Sequence, residues 1–278
     1  MYRRFTTIAG KTIITRYTDS SRLKTEKARK PKENPTPEAV AKINAINQER
    51  KLTAEINHNF AAGDLWITLA YPAKVTIDEA MKRVEKFKRN LRSLCKKMGL
   101  TYKLIEATGI GKQSGKPHHH LVVNKEITRE MIKRYWPEEY THIEYLWASG
   151  NYRRVAKYML DNASSAQRGI HKKAWRSSRT IVKPETKKET LKRKPFGRIP
   201  DPEDLKPRKG YAIDRDSIRI YEHKVTEEIC VEYIEVSLTE EPRLKRYGKG
   251  TRTGPEKWYK EHWSEQMTMD EIMRREDM

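Results

Sequence analysis

The chain has 278 residues, of which 35% are charged and 36% are hydrophobic, and its mean hydropathy is −0.94. This apolar share is low for one continuous core, so we expect a compact α/β core with polar, partly extended flanks. Lysine and arginine number 59 against 38 acidic residues, giving a formal net charge of +21. Since such a field attracts polyanions, nucleic acid is the expected partner, and an anionic membrane is a weaker alternative.

Cysteine usage and hydropathy exclude several other classes. Cys95 and Cys230 are the two cysteines, too few for a disulfide framework, and they form no CxxC metal site. No apolar run reaches the length of a signal peptide or a membrane span, so we expect a cytoplasmic protein without a membrane partner. The sequence has no GxxxxGK[ST] motif, which argues against an ATP-driven helicase within it.

The N-terminal region, residues 1–35, is basic and rich in turn-forming residues. Residues 11–17 (KTIITRY) could form a strand, whereas residues 20–34 are expected to be flexible. A helix is predicted to begin after Thr36, a suitable N-cap, and to end at Gly63.

Alternating strand and helix patterns follow in the order β-α-β-β-α-β-α. The predicted strands are residues 65–71 (LWITLAY), 102–108 (YKLIEAT), 117–124 (PHHHLVVN) and 142–147 (HIEYLW). Thr76 with Glu79 predicts a capping box at the start of the first intervening helix, and Ser149 or Asn151 is the expected cap of the last helix. This order predicts an α+β fold, a ferredoxin-like or RRM-like split βαβ core with a central antiparallel sheet and helices on one face.

The pattern divides the chain into three predicted regions. These are a basic flexible segment (1–35), a nuclease-sized α+β domain that includes its N-terminal helix (36–195), and a C-terminal β-containing extension with a polar tail (196–278). Two strand-like runs, residues 211–221 and 229–238, mark the extension.

Three consecutive histidines occupy the third predicted strand of the core. Alternate side chains of a strand share a face, so His118 and His120 point to one side and His119 to the other. Two imidazoles so spaced can bind one divalent metal ion. Imidazole suits Mn²⁺, Ni²⁺ or Zn²⁺, and Mg²⁺ stays a candidate because it is abundant. The alternative is a histidine-rich strand without a ligand role.

Glu106 is the one carboxylate of the second predicted strand. A carboxylate seldom enters an apolar core unpaired, and a metal ion shared with His118 and His120 would compensate its charge. Such a set would leave coordination positions for a phosphate oxygen and water. The alternatives are that Glu106 faces solvent or pairs with Lys103.

Tyr158 lies on the last predicted helix of this region. A phenol is a poor nucleophile until it is deprotonated or stabilised by a cation, and Lys157, Arg153 and Arg154 supply positive charge nearby. The alternative is an amphipathic helix in which Tyr158 packs in the core. Tyr152 lies off the same helix face, so a second nucleophilic tyrosine is not expected.

The segments 65–72 (LWITLAYP), 117–123 (PHHHLVV) and 155–160 (VAKYML) resemble, in order, the first, metal and tyrosine motifs of the HUH (His-hydrophobe-His) endonuclease superfamily. The similarity covers roughly residues 30–190 and is greatest to rolling-circle replication-associated (Rep) proteins of bacterial plasmids and phages. The middle residue His119 and the acidic Asp161 depart from the usual motifs, which carry a hydrophobe and often a lysine there.

This resemblance implies a mechanism and a set of roles. His118 and His120 would hold Mg²⁺ or Mn²⁺ with Glu106 as third ligand, and Tyr158 would attack the scissile phosphate with Lys157 as a catalytic cation. The product would be a 5′-phosphotyrosine and a free 3′-OH, and a later transfer would rejoin the strands. The implied partner is single-stranded or hairpin origin DNA, with a host helicase and polymerase as further candidates.

The basic stretch of residues 170–194 is the other candidate for DNA contact. Aromatic stacking and phosphate neutralisation there would suit single-stranded DNA, although a solvated loop with one packed tryptophan is the alternative. The expected DNA-binding residues are Arg153, Arg154, Lys172, Lys173, Trp175 and Arg176.

Two alternative functions stay open. A transposase or conjugative relaxase would use the same chemistry, and a non-catalytic RRM-like protein would bind nucleic acid through exposed sheet aromatics.

Overall fold

A computed structural model describes residues 2–19, 38–71, 75–111, 114–137, 140–163, 174–193, 195–196, 200–223 and 228–239. Within 1–54 and 184–265 the described residues form one compact unit, and those within 55–183 form another. The predicted boundaries of the three regions stay a prediction. The strands are β1 (Tyr2–Ala9), β2 (Thr12–Asp19), β3 (Leu65–Leu69), β4 (Leu104–Ile110), β5 (Pro117–Val123), β6 (Thr141–Tyr145), β7 (Arg176–Ser177), β8 (Thr186–Leu191), β9 (Tyr211–His223) and β10 (Glu228–Ser237). The helices are α1 (Glu38–Asn59), α2 (Ile77–Lys97), α3 (Arg129–Lys133) and α4 (Arg153–Ala163).

The unit within residues 55–183 has the predicted ferredoxin-like core. Its sheet has the strand order β6-β3-β5-β4-β7, and all neighbours pair antiparallel. Each βαβ crossover, β3-α2-β4 and β5-α3-β6, therefore spans one strand inserted between its ends, which is the split βαβ arrangement. The α+β class and the antiparallel core are confirmed.

Helix α2 forms where its sequence signals predict. The Thr76 hydroxyl accepts a hydrogen bond from the Glu79 backbone, while the Glu79 carboxylate accepts one from the Thr76 backbone, closing the predicted capping box. Val84, Phe87 and Leu91 recur at helical spacing and are buried. These side chains cover one face of the sheet together with residues of α3.

Helix α4 covers the opposite face of that sheet, which corrects the prediction of helices on one face. Trp66 and His120 share a face in the β3–β5 register, and the Tyr158 ring packs against both. Asn151 caps this helix as predicted, since its side chain accepts a hydrogen bond from the Arg153 backbone at 3.3 Å. The sheet therefore has two covered faces, and the candidate site lies on the side of α4.

The other unit contains a five-stranded antiparallel sheet in the order β8-β1-β2-β10-β9. The strands predicted within residues 11–17, 211–221 and 229–238 are confirmed as parts of β2, β9 and β10. Strands β1 and β8 were not predicted, and residues 2–19 form a hairpin instead of a flexible segment. Residues 20–37 lie outside the described part of the chain.

Candidate active site

Strand β5 presents His118 and His120 on one face of the sheet, as their spacing predicts. Their ring centroids lie 4.8 Å apart at an interplanar angle of 71°. His118 is partly exposed, whereas His120 is fully buried. The pair therefore offers one imidazole open to solvent and one anchored in the protein.

The surroundings of His120 suit a metal ligand. Its Nδ1 lies 3.0 Å from the Thr68 hydroxyl on β3, and its Nε2 is buried without a hydrogen-bond partner among the described residues. Burial, followed by the proximity of His118, lowers the pKa of His120 well below its ordinary value, so the ring is neutral at physiological pH. A neutral imidazole oriented through Nδ1 is the form that binds a divalent cation through Nε2.

Tyr158 lies directly beside this pair. Its ring centroid is 4.8 Å from that of His120 and 5.5 Å from that of Trp66, both in edge-to-face geometry. The side chain is 8% exposed, so the phenol belongs to the packed face of α4. The structure therefore brings the predicted nucleophile and the predicted ligands together.

Trp66 was not anticipated as part of the site. Its indole Nε1 is buried and has no hydrogen-bond partner among the described residues, as is true of His120 Nε2. Buried polar atoms without partners are rare and often mark a place where a ligand or water binds. The rings of these two residues both contact Tyr158. The alternation in LWITL could have placed Trp66 and Thr68 on one face, and the third strand's histidines on that face follow from register.

Glu106 does not join the histidine pair, which corrects its prediction as third ligand. In the β4–β5 register Glu106 pairs with Leu121, whereas Ala107 pairs with His120, so the carboxylate points to the other face. There it is fully buried and forms an ion pair with Lys88 of α2. The carboxylate charge is thus compensated by an ammonium group instead of a metal ion.

His119 is a core residue on that same opposite face. Its Nε2 lies 2.7 Å from the Tyr71 hydroxyl and its Nδ1 lies 2.8 Å from the Thr108 hydroxyl. Burial is the main cause that lowers the pKa of His119 to about 3. With both ring nitrogens engaged, His119 is not available as an alternative ligand.

A third ligand for the pair is not found within the described residues, where no three histidine, cysteine, aspartate or glutamate side chains gather closely enough to hold one metal ion. His142 and Glu144 of β6 lie on the same sheet face, because His142 pairs with Thr68 and Glu144 with Trp66. Their side chains contact each other at 2.8 Å. The alternating pattern of HIE carries the signal that could have drawn attention to them.

The basic residues near the nucleophile separate into two orientations. Lys157 is exposed, whereas Tyr158 is buried, so adjacent positions of α4 point in different directions. Arg154 lies one helical turn before Tyr158 and is half-buried, which places it on the same side of α4. Arg153 is half-buried and Asp161 is exposed. Tyr152 is fully buried, and its hydroxyl donates to the Trp147 carbonyl at 3.0 Å, as expected for a structural tyrosine.

The predicted DNA-binding residues after α4 are engaged within the protein where they are described. Trp175 is half-buried, and its indole N–H donates to Glu55 at 3.0 Å. Arg176 on β7 donates to Glu85 at 2.6 Å. Lys172 and Lys173 lie outside the described residues. Contact of these residues with DNA stays a prediction.

The fold and site together describe a ferredoxin-like α+β domain with a histidine pair beside a helix-borne tyrosine. Residues 64–163 are similar to a known family, since they match the family model of the replication-associated protein ORF2. The matched segment contains β3, β5 and α4 with all the site residues above, and it supports the interpretation as a replication initiator. Neither a curated protein nor a solved structure matches the chain. Among the described residues, no helix is long and apolar enough to cross a membrane.

Proposed function

We propose that this protein is a rolling-circle replication initiator, an HUH-type endonuclease that nicks one DNA strand and later rejoins it. The observation that carries the proposal is the contact of Tyr158 with His120, whose Nε2 is buried and lacks a partner among the described residues. The match of residues 64–163 to a replication-associated family supports the same function.

Tyr158 is the proposed nucleophile. Its phenolic oxygen attacks the scissile phosphorus, the new bond joins tyrosine to the 5′ phosphate, and the bond from phosphorus to the 3′ oxygen breaks. The phenol proton leaves to solvent, and the departing 3′ oxygen takes up a proton to become the 3′-OH that a polymerase extends. Arg154, one turn earlier on α4, is better placed than Lys157 to stabilise negative charge at this oxygen.

His118 and His120 are the proposed residues that hold Mg²⁺ or Mn²⁺. When bound, such an ion polarises the phosphate and neutralises charge that develops on it. Thr68 fixes the ring of His120, because a proton on Nδ1 then donates to its hydroxyl and leaves Nε2 free to coordinate. The remaining ligands are not assigned.

The decisive experiment incubates the full chain with hairpin-bearing single-stranded oligonucleotides and Mn²⁺ and maps any covalently linked peptide. Tyr158→Phe keeps the ring that packs on Trp66 and His120, so the fold is retained while the nucleophilic oxygen is lost. We expect the adduct to fall by at least roughly a thousandfold with DNA binding kept. His118→Ala with His120→Ala should abolish the response to Mn²⁺.

Tyr145→Phe is the matched control, because Tyr145 is 59% exposed on an edge strand of the same unit. An adduct that survives in Tyr158→Phe, or full activity in the double histidine variant, would exclude the corresponding assignment. Binding of single-stranded DNA without any adduct would instead favour the non-catalytic RRM-like alternative. An adduct that forms only on transposon-end or transfer-origin DNA would favour the transposase or relaxase.

A further inference from the structure

A groove of about 570 Å³ lies in the unit formed within residues 1–54 and 184–265. It is lined by the first part of α1 and by β1, β2 and β8. None of the candidate active-site residues contributes to it. Its chemistry is that of donors and cations, with the following lining side chains: Arg16, Asn44, Asn47, Gln48, Arg50 and Lys51.

Arg16 forms the sheet side of the groove. Its guanidinium carbon lies 4.3 Å from the centroid of the Phe5 ring, which holds it over the neighbouring strand. Its Nε is buried and has no hydrogen-bond partner among the described residues. A donor fixed in this way is ready for an acceptor brought by a ligand.

The carboxylate nearest to Arg16 is already shared. Glu232 pairs with Arg16 across β2 and β10, but its Oε2 lies 2.5 Å from Arg50, and Arg219 approaches the same carboxylate at 3.9 Å. Burial, followed by the charge of Arg50, lowers the pKa of Arg16. Such a shift is typical of a cation that lacks sufficient negative charge around it.

Helix α1 completes the groove with one polar stripe. Asn44, Gln48 and Lys51 follow one another at spacings of four and three residues, so they share a helix face, and all three are exposed. Amide and ammonium groups beside a guanidinium are the donors that bind phosphate oxygens in nucleic-acid backbones. The lining contains no carboxylate that would repel them.

We propose that this groove binds the sugar-phosphate backbone of a single DNA strand, as a contact surface additional to the nicking site. A volume of about 570 Å³ suits one or two nucleotides and excludes a duplex. Phosphate groups neutralise the uncompensated cations, and the amides of α1 bind the non-bridging oxygens. Binding here needs neither the metal ion nor Tyr158.

The test measures equilibrium binding of a short labelled oligothymidylate to the full chain by fluorescence anisotropy, with EDTA present and over a range of salt concentrations. Lys51→Gln is expected to weaken binding roughly threefold to tenfold and to lower the salt slope by about 0.7, because one phosphate contact is lost. Gln48→Glu places a carboxylate in the groove and should weaken binding by about tenfold. Both positions are exposed, so the fold is kept.

Lys42→Gln is the matched control, since Lys42 is an exposed lysine of the same helix that does not line the groove. The proposal fails if the groove variants bind as tightly as Lys42→Gln. Thymidine monophosphate and inorganic phosphate serve as competitors that separate a strand from a small anion. Neither should displace the oligonucleotide; displacement at similar phosphate concentrations would show a small-anion site and overturn the assignment to a strand.

Discussion

At the scale of single residues, the site depends on which nitrogen of His120 is occupied. Thr68 lies 3.0 Å from Nδ1, and Nε2 has no partner among the described residues. Thr68 is therefore a positioning residue in the proposed nuclease, because it sets the tautomer and the ring orientation without contacting DNA.

Thr68→Val tests this role, since valine keeps the branched shape and removes the hydroxyl. We expect the Mn²⁺ concentration needed for half-maximal adduct formation to rise by about 10-fold to 100-fold. Adduct yield at saturating Mn²⁺ should change little. Thr68→Ser, which keeps the hydroxyl, should behave as the wild type; an equal Mn²⁺ response in valine and serine variants would remove Thr68 from the site.

Side-chain orientation is also where sequence reasoning reached its limit. The spacing of His118 and His120 fixes their common face, because both lie on one strand. Glu106 lies on another strand, and a shift of one residue in pairing would have turned it to the histidine face. Register across a glycine-containing loop is decided by packing, and here Lys88 stabilises the carboxylate on the other side.

At the scale of elements, local signals account for most of the helices in the core. The Thr76 capping box starts α2 where the sequence predicts it, and Gly99 follows its end with a φ of +68°, which a glycine adopts without strain. The Glu79 carboxylate accepts two bonds from Thr76, and these lower its pKa. Their contribution is therefore present above the ordinary glutamate pKa and is lost as pH falls below it.

Thr76→Ala should shorten this start signal and lower the free energy of unfolding by about 1 kcal/mol, because the cap no longer accepts the Glu79 backbone N–H. Urea unfolding near neutral pH measures the change, with Thr76→Ser as the variant that keeps the hydroxyl. Equal midpoints for alanine and serine at this position would mean that the box contributes nothing measurable.

At the scale of the whole molecule, the sheet of the unit within residues 1–54 and 184–265 joins distant parts of the chain. Thr18 of β2 pairs with Cys230 of β10, and Tyr2 of β1 pairs with Leu191 of β8. Local patterns predicted β2, β9 and β10 as separate strands. Their partners could not be predicted, because pairing over such separations depends on loop closure and on packing of the assembled sheet.

The buried histidines link the stability of the fold to pH. The pKa of His119 is lowered to about 3, chiefly by burial, whereas in the unfolded chain the ring titrates near 6.5. Between these values the unfolded state binds a proton that the folded state does not, so acidification favours unfolding. The free energy of unfolding should therefore fall as pH drops below 6.5, by up to about 1.4 kcal/mol per pH unit from this ring.

Comparison of the wild type with His119→Gln isolates that contribution. Glutamine does not titrate and can still hydrogen-bond with Tyr71 or Thr108, while His120 contributes equally to both proteins. Urea unfolding at several pH values between about 7.5 and 4.5 should give a slope that is shallower in the variant by close to one proton. The absolute stability of the variant does not enter this difference, so a generally weakened fold would not imitate it. Parallel slopes would mean that His119 takes up its proton in the folded chain, which its buried contacts with both hydroxyls oppose.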